Sequence, residues 1–108
     1  MSEGFFHILK RSEWQAAMLK QAYAPLSLAT EGFIHCSTWE QLPGSGDRFF
    51  RGQPDLVVLR IDPQRLTAPV KVEAGFPHLY GPLNLDAVLE VVDFPCHEDG
   101  PFSHPKEA

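Results

Sequence analysis

Few features of the chain suit a membrane, a metal ion or a nucleic-acid duplex. It has 108 residues, and no apolar run among them approaches the roughly 18 residues that a membrane-spanning helix needs. The two cysteines, Cys36 and Cys96, are too few for a four-ligand zinc site and do not form a Cys-x-x-Cys pair. The net charge of −5 disfavours binding to the phosphates of a duplex. We therefore expect no membrane, no metal and no duplex nucleic acid as partners.

We also expect no signal peptide at the N-terminus, because Glu3 stands where basic charge would be found and no extended apolar segment follows. We expect a cytoplasmic protein, in which a disulfide is disfavoured and Cys36 is a small buried hydrophobe. The length and the 44% hydrophobic content predict one domain, which we assign to residues 1–96. Residues 97–108 are rich in proline, glycine and acidic residues and are interpreted as a loosely ordered tail. The sequence leaves the oligomeric state open.

The apolar pattern predicts strands separated by irregularly spaced helices. Residues 5–9, 70–74 and 87–94 are typical of strands, and the near-continuous apolar run at residues 55–62 indicates a strand buried on both faces. Residues 76–82, which are aromatic and contain two prolines, are interpreted as a loop. This pattern favours an α+β fold over a doubly wound α/β sheet.

Two helical regions are predicted. Ser12 and Gln15 match a capping box at the start of the main helix, in which Trp14 and Met18 are expected to face the core. Residues 38–51 are expected to form a loop and a second helix, which the Pro-Gly-Ser-Gly run at residues 43–46 would break. We therefore expect a compact split or curved β-sheet with one main helix and a second, broken one.

The strand expected at residues 32–37 offers the first candidate site. Side chains alternate along a strand, so Ile34 and Cys36 would face the core while the opposite face presents Phe33, His35 and Ser37. A titratable ring beside a hydroxyl on a rigid strand is a common way to build a site. A histidine that satisfies a buried carbonyl is the equally simple alternative.

Two more histidines, His7 and His78, lie within the predicted domain, whereas His97 and His104 lie in the tail and are expected to be solvated. Glu73 is the candidate carboxylate, because it lies on the polar face of a predicted strand that leads to His78 and Tyr80. Together these residues could form a cleft with imidazoles, a carboxylate and an aromatic surface. Alternatively, Glu73 is a solvated strand residue and Tyr80 anchors the loop through its hydroxyl.

A succession of short motifs runs through the chain: His7-Ile8, Trp14, Glu31-Gly32-Phe33-Ile34-His35-Cys36-Ser37, Gln41 and Phe76-Pro77-His78-Leu79-Tyr80-Gly81. This succession resembles a family of short bacterial proteins catalogued as a domain of unknown function, over nearly the whole chain. The family has been grouped with the ADP-ribosyltransferase-like fold. The local pattern is similar to the RNA 2′-phosphotransferase branch of that superfamily, in which a His-Leu-Ser-type strand, a helix and a Val-Val-Leu-x-Val-Asp strand follow one another.

The resemblance implies an enzyme that uses NAD for ADP-ribosyl or phosphate transfer. The implied catalytic residues are His35, Glu73 and His78, with Glu73 stabilising the positive charge that develops at the reacting centre. The residues implied to bind the cofactor are His7 at the nicotinamide ribose, together with His35, then Ser37, and Tyr80 stacked on the nicotinamide. The resemblance leaves open whether Glu73 or the loop from His78 to Tyr80 carries the chemistry. The competing hypothesis is a non-catalytic module that binds a nucleotide-like small molecule or a protein partner through the same histidine-lined cleft. A third is a purely structural role for the histidines.

Overall fold

The most apolar run of the chain forms the centre of the larger of two β-sheets. The computed structural model describes residues 4–94 together with Phe102, His104 and Pro105. Strand β3 (Leu56–Ile61) is buried except at Arg60 and pairs antiparallel with β1 (Phe5–Lys10) on one side and β6 (Val88–Asp93) on the other. The strand predicted at residues 55–62 and its burial are therefore confirmed.

The second sheet carries the candidate residues. Its strand order is β2 (Ile34–His35), β5 (Phe76–Leu79) and β4 (Val70–Glu73), with both pairings antiparallel. The loop predicted at residues 76–82 is thus wrong in its first half, because β5 is the central strand. Pro77, which lacks an N–H, contributes its carbonyl to Cys36 N–H at 3.0 Å. Two three-stranded antiparallel sheets confirm the α+β class and the split sheet.

A pair of backbone hydrogen bonds joins the two sheets. The N–H of Phe6 donates to the carbonyl of Ser37 at 2.8 Å, and the N–H of Ser37 donates to the carbonyl of Phe6 at 2.7 Å. Because Phe6 lies in β1 and Ser37 follows β2 directly, this bridge brings His7 of one sheet next to His35 of the other.

The main helix, α1 (Arg11–Lys20), begins two residues earlier than predicted. Strand β1 runs straight into it, so Lys10 is the N-cap and its N–H donates to the Glu13 carboxylate at 3.0 Å. The predicted Ser12 and Gln15 capping box is therefore wrong. Met18 is 48% exposed, so its assignment to the core is also wrong, whereas Ala17 is buried and Trp14 packs against the core.

Two further helices follow. The short α2 (Leu26–Thr30) begins after Pro25, and α3 (Leu42–Phe49) runs without interruption through the predicted break at residues 43–46. Pro43 lies in the first turn of α3, where a helix tolerates a residue without an N–H. Gly46 is buried because the ring of Phe102 occupies the space beside it. The second helix is thus continuous, not broken.

The residues described beyond β6 pack on α3. Phe102 is 3% exposed, stacks on the buried ring of Phe94 at 4.7 Å, and its N–H donates to the Asp47 carboxylate at 2.7 Å. His104 stacks on Trp39 at 4.6 Å and donates from Nε2 to its carbonyl at 2.8 Å. Phe102 therefore belongs to the core, although the sequence predicted a loose tail there.

Cys96, His97 and most of that tail lie outside the described residues. Within the part that is described, no helix is long and apolar enough to span a membrane.

Candidate functional site

A pocket of about 400 Å³ opens where the two sheets meet α3. Four of the residues singled out from the sequence line it: His7 of β1, His35 of β2, Ser37 after β2 and His78 of β5. Its remaining lining residues come from β1, α2, α3 and the segments beside them: Ile8, Ser27, Glu31, Phe33, Ser45, Phe49 and Phe50. Glu73 and Tyr80 do not line it; both contact His78, and the Tyr80 ring also contacts Phe33.

His7 is held by both ring nitrogens. Its Nδ1 lies 2.7 Å from the carbonyl oxygen of His35, which can only accept, so Nδ1 carries the proton and donates. The other nitrogen, Nε2, accepts from the Tyr23 hydroxyl at 2.8 Å. Burial lowers the pKa of His7 to about 4, against the opposing effect of the bond to the His35 carbonyl. His7 is therefore a neutral ring that fixes the pocket wall, and neither nitrogen is free to bind a ligand without breaking a bond.

Ser37 and Ser45 are likewise engaged with each other. Their hydroxyl oxygens lie 2.7 Å apart, and the two residues are 2% and 4% exposed. This bond ties α3 to the end of β2 beneath the pocket. It also leaves each hydroxyl two further positions for a ligand or water, since a hydroxyl can donate once and accept twice.

His35 and His78 lie side by side, directly opposite each other on neighbouring strands. Their ring centroids are 5.8 Å apart, and Phe33 stacks face to face on His78 at 4.2 Å with 9° between the planes. The ring of His35 contacts Phe49 and Phe76 at 5.3 and 5.1 Å, and its nitrogens have no hydrogen-bond partner among the described residues. Each of the two imidazoles thus presents a polar group to the pocket.

A carboxylate and a phenol orient His78 from outside the pocket. His78 Nδ1 donates to the Glu73 carboxylate at 2.8 Å, and the Tyr80 hydroxyl donates to the same oxygen. Both bonds lower the pKa of Glu73, and the bond from Tyr80 has the larger effect. The same bond raises the pKa of Tyr80. With its Nδ1 proton committed to Glu73, the neutral ring of His78 has a lone pair on Nε2. Such a nitrogen can accept a proton from a ligand.

The surroundings of His35 favour the uncharged form of its imidazole ring. Burial lowers the pKa of His35, and the nearby His78 adds to this effect. Glu31 acts on it in the opposite direction. Among the described residues, no three His, Cys, Asp or Glu side chains are grouped so as to hold a metal ion.

Sequence reasoning missed several residues of the site. Tyr23 carried no signal, because it lies beyond the end of α1 and reaches His7 only through tertiary packing; burial raises its pKa well above the usual range. Ser45 and Phe49 carry no signal in the sequence either. The run at residues 43–46 predicts a break in the second helix, whereas the continuous α3 brings both residues to the pocket. Glu31 was noted only as part of a motif.

Lowering the pH from 7 to 5 is expected to reduce the free energy of unfolding by about 2 kcal/mol through His7. The pKa of His7 is about 4 in the folded protein against an ordinary 6.5, so the unfolded chain takes up the proton first. The contribution is complete above pH 6.5 and is lost as the pH falls towards 4. Urea unfolding of the wild type and of His7→Asn at both pH values would measure it, because asparagine retains an N–H donor and cannot be protonated. An equal pH dependence of the two proteins would contradict this assignment.

The fold and the pocket define a small α+β domain whose site lies at the junction of two antiparallel sheets. Residues 8–91 match the family described as "Protein of unknown function (DUF952)", and the chain belongs to this family. The family expected from the motifs is thus confirmed. Its description names no activity.

Solved structures of one protein, CC0527 from Caulobacter crescentus, are similar to this chain. The crystal structure of CC0527 has 35% sequence identity and a TM-score of 0.80, and the match covers 92% of each chain. Its solution NMR structure has 35% identity and a TM-score of 0.70, covering 90% of this chain and 89% of that one. A comparison with curated proteins gave no match.

Proposed function

We propose that this protein is a cytoplasmic enzyme that uses NAD, of the ADP-ribosyltransferase-like or phosphotransferase-like kind, and that the nicotinamide–ribose end binds in the pocket. The observation that carries the proposal is the pair of imidazoles on the pocket wall, one of them oriented by Glu73. A carboxylate that fixes the tautomer of a histidine prepares the other nitrogen for general base catalysis. The choice of NAD as the substrate rests on the resemblance to the ADP-ribosyltransferase-like superfamily.

The proposed roles follow from which atoms are free. His78 Nε2 would accept the proton of an acceptor hydroxyl as its oxygen bonds to C1′ of the nicotinamide ribose, and the bond from C1′ to nicotinamide would break, releasing neutral nicotinamide. The imidazolium that forms would be stabilised by Glu73. Glu73 is thus a positioning residue, with Tyr80 holding it in place. His35 would donate or accept a hydrogen bond at the ribose. NAD would supply the ADP-ribosyl group that is transferred.

The residues present fit this substrate in size and wall chemistry. A pocket of about 400 Å³ lies within the range of roughly 300–1,000 Å³ usual for small-molecule sites. A neighbouring cavity of about 320 Å³ shares Ser45 and Phe49 with it and is lined by Arg48, whose guanidinium has no ion-pair partner among the described residues. Arg48 is therefore the residue available for the phosphates.

The proposal predicts that NAD binds and is turned over. Calorimetry of the folded protein should give measurable heat with NAD at millimolar concentration, and released nicotinamide should be detectable by chromatography when an acceptor is supplied. His35→Ala should lower that release, because it removes a polar group that faces the pocket. Absence of heat at millimolar NAD and millimolar ADP-ribose would overturn the proposal.

A non-catalytic binding module is the second candidate function. It is favoured by the saturation of much of the pocket's polar surface, since His7 and the Ser37–Ser45 pair are already bonded within the protein. A module of this kind would bind a nucleotide-like ligand or a protein partner through the same pocket. Heat of binding without any nicotinamide release would favour it over the enzyme.

A further inference from the structure

The walls of the pocket are aromatic on several sides. Phe33, Phe49 and Phe50 line it together with the imidazoles of His35 and His78. The faces of aromatic rings carry partial negative charge and attract a cation placed within about 6 Å of the ring centre. A flat ligand would therefore meet surfaces that favour positive charge, in addition to the apolar contact itself.

The charged side chain that lines the pocket is acidic. Glu31 lies at the rim, whereas neither lysine nor arginine occurs among the residues that line it. Arg48 belongs to the neighbouring cavity, where its guanidinium lies 5.3 Å from the centre of the Phe49 ring. The positive charge of Arg48 therefore lies outside the pocket that Glu31 lines.

The position of Glu31 leaves its carboxylate available. Glu31 is the C-cap residue that follows α2, and its backbone N–H donates to the carbonyl of Ser27 at 2.7 Å. Its carboxylate has no hydrogen bond or ion pair among the described residues, yet it is close enough to His35 to influence that ring electrostatically. An unpaired carboxylate beside aromatic walls is a complementary surface for a flat cation.

We infer that the pocket selects a flat ring that carries a positive charge, such as an N-alkylated pyridinium, over the neutral ring of the same shape, and that Glu31 determines this selection. The inference rests on the proposed function in that it concerns the same pocket and the same end of the substrate. It adds that the oxidised, cationic form of the ring is preferred, and that a neutral leaving ring is held more weakly than the cation.

The test compares two probes of nearly equal shape, 1-methylnicotinamide, which is a cation, and nicotinamide, which is neutral. Titrations followed by NMR should give about tenfold tighter binding of the cation to the wild type, the range expected for a cation among aromatic rings and one carboxylate. Glu31→Gln should lose roughly three- to fivefold of that preference, and added salt should weaken it. Glu40→Gln, which removes an exposed carboxylate of the neighbouring cavity, should leave it unchanged.

Equal affinities for the two probes in the wild type would overturn the inference, as would a cation preference that Glu31→Gln and Glu40→Gln leave equally intact. These outcomes are separable from the fate of the proposed function. A cation preference that depends on Glu31, without any consumption of NAD, would retain the inference and reject the enzyme. Release of nicotinamide without a cation preference would support the enzyme and reject the inference about Glu31.

Discussion

Replacing His78 with alanine is expected to lower the rate of nicotinamide release by about 10²–10⁴-fold, the contribution that a general base commonly makes. The loss should fall mainly on kcat, because Nε2 of this ring acts on the proton of the acceptor and not on the NAD that is already bound. Because alanine also removes the ring that stacks on Phe33, His78→Gln is needed as a second variant of similar size. Steady-state release of nicotinamide, measured with saturating NAD and acceptor, gives kcat.

The neighbours of His78 provide graded controls. Glu73→Gln should reduce the rate by less than His78→Ala, because it weakens the bond that orients the ring without removing the base. His104→Ala should leave the rate unchanged, since His104 stacks on Trp39 and does not line the pocket. Full activity in both His78 variants, once the wild type is shown to be active, would exclude His78 as the base.

Introducing a single methyl group at Gly46 is expected to destabilise the protein by about 3 kcal/mol, towards the upper end of what overpacking costs. A Cβ built there would lie 2.6 Å from Cγ of Phe102 and 2.9 Å from Cε2 of Phe94, so both stacked rings would have to move. Both rings belong to the core, and neither can swing into solvent as a flexible surface side chain would. Urea unfolding of Gly46→Ala, with the free energy extrapolated to water, measures the loss.

Gly44 is the matched control within the same helix. A Cβ at Gly44 would meet no atom within 4 Å, so Gly44→Ala should be neutral or stabilise the protein by up to about 1 kcal/mol through helix propensity. Equal unfolding free energies for the two variants would show that the segment around Phe102 does not pack on α3.

Elements that are determined by local pattern could be predicted from the sequence. The apolar run of β3 needs no tertiary information, because only a strand buried on both faces uses so continuous a run. The face that presents His35 and Ser37 was likewise predictable, since both lie in the pocket lining. The pairing of His35 with His78 was not, because it depends on a proline-containing segment adopting the central strand of a sheet.

The failures share a physical cause, which is that tertiary contacts overrode local preference. The run at residues 43–46 is a poor helix sequence, yet α3 is continuous because its small residues admit the rings of Phe94 and Phe102. Met18 matched the helical stripe but is exposed, whereas Ala17, one residue earlier, is buried in the core. The bond of His7 to Tyr23 has no signature in the spacing of either residue.

The bridge between Phe6 and Ser37 makes one unit of two sheets, and any molecule held in the pocket would touch that unit and α3 together. Binding of a ligand in the pocket would therefore stabilise the whole domain against unfolding. At a concentration 100 times the dissociation constant, a ligand of the native state adds about 2.7 kcal/mol to stability. The melting temperature thus becomes a readout of the natural ligand that needs no assumption about its chemistry, and a metabolite extract could be fractionated by that readout alone.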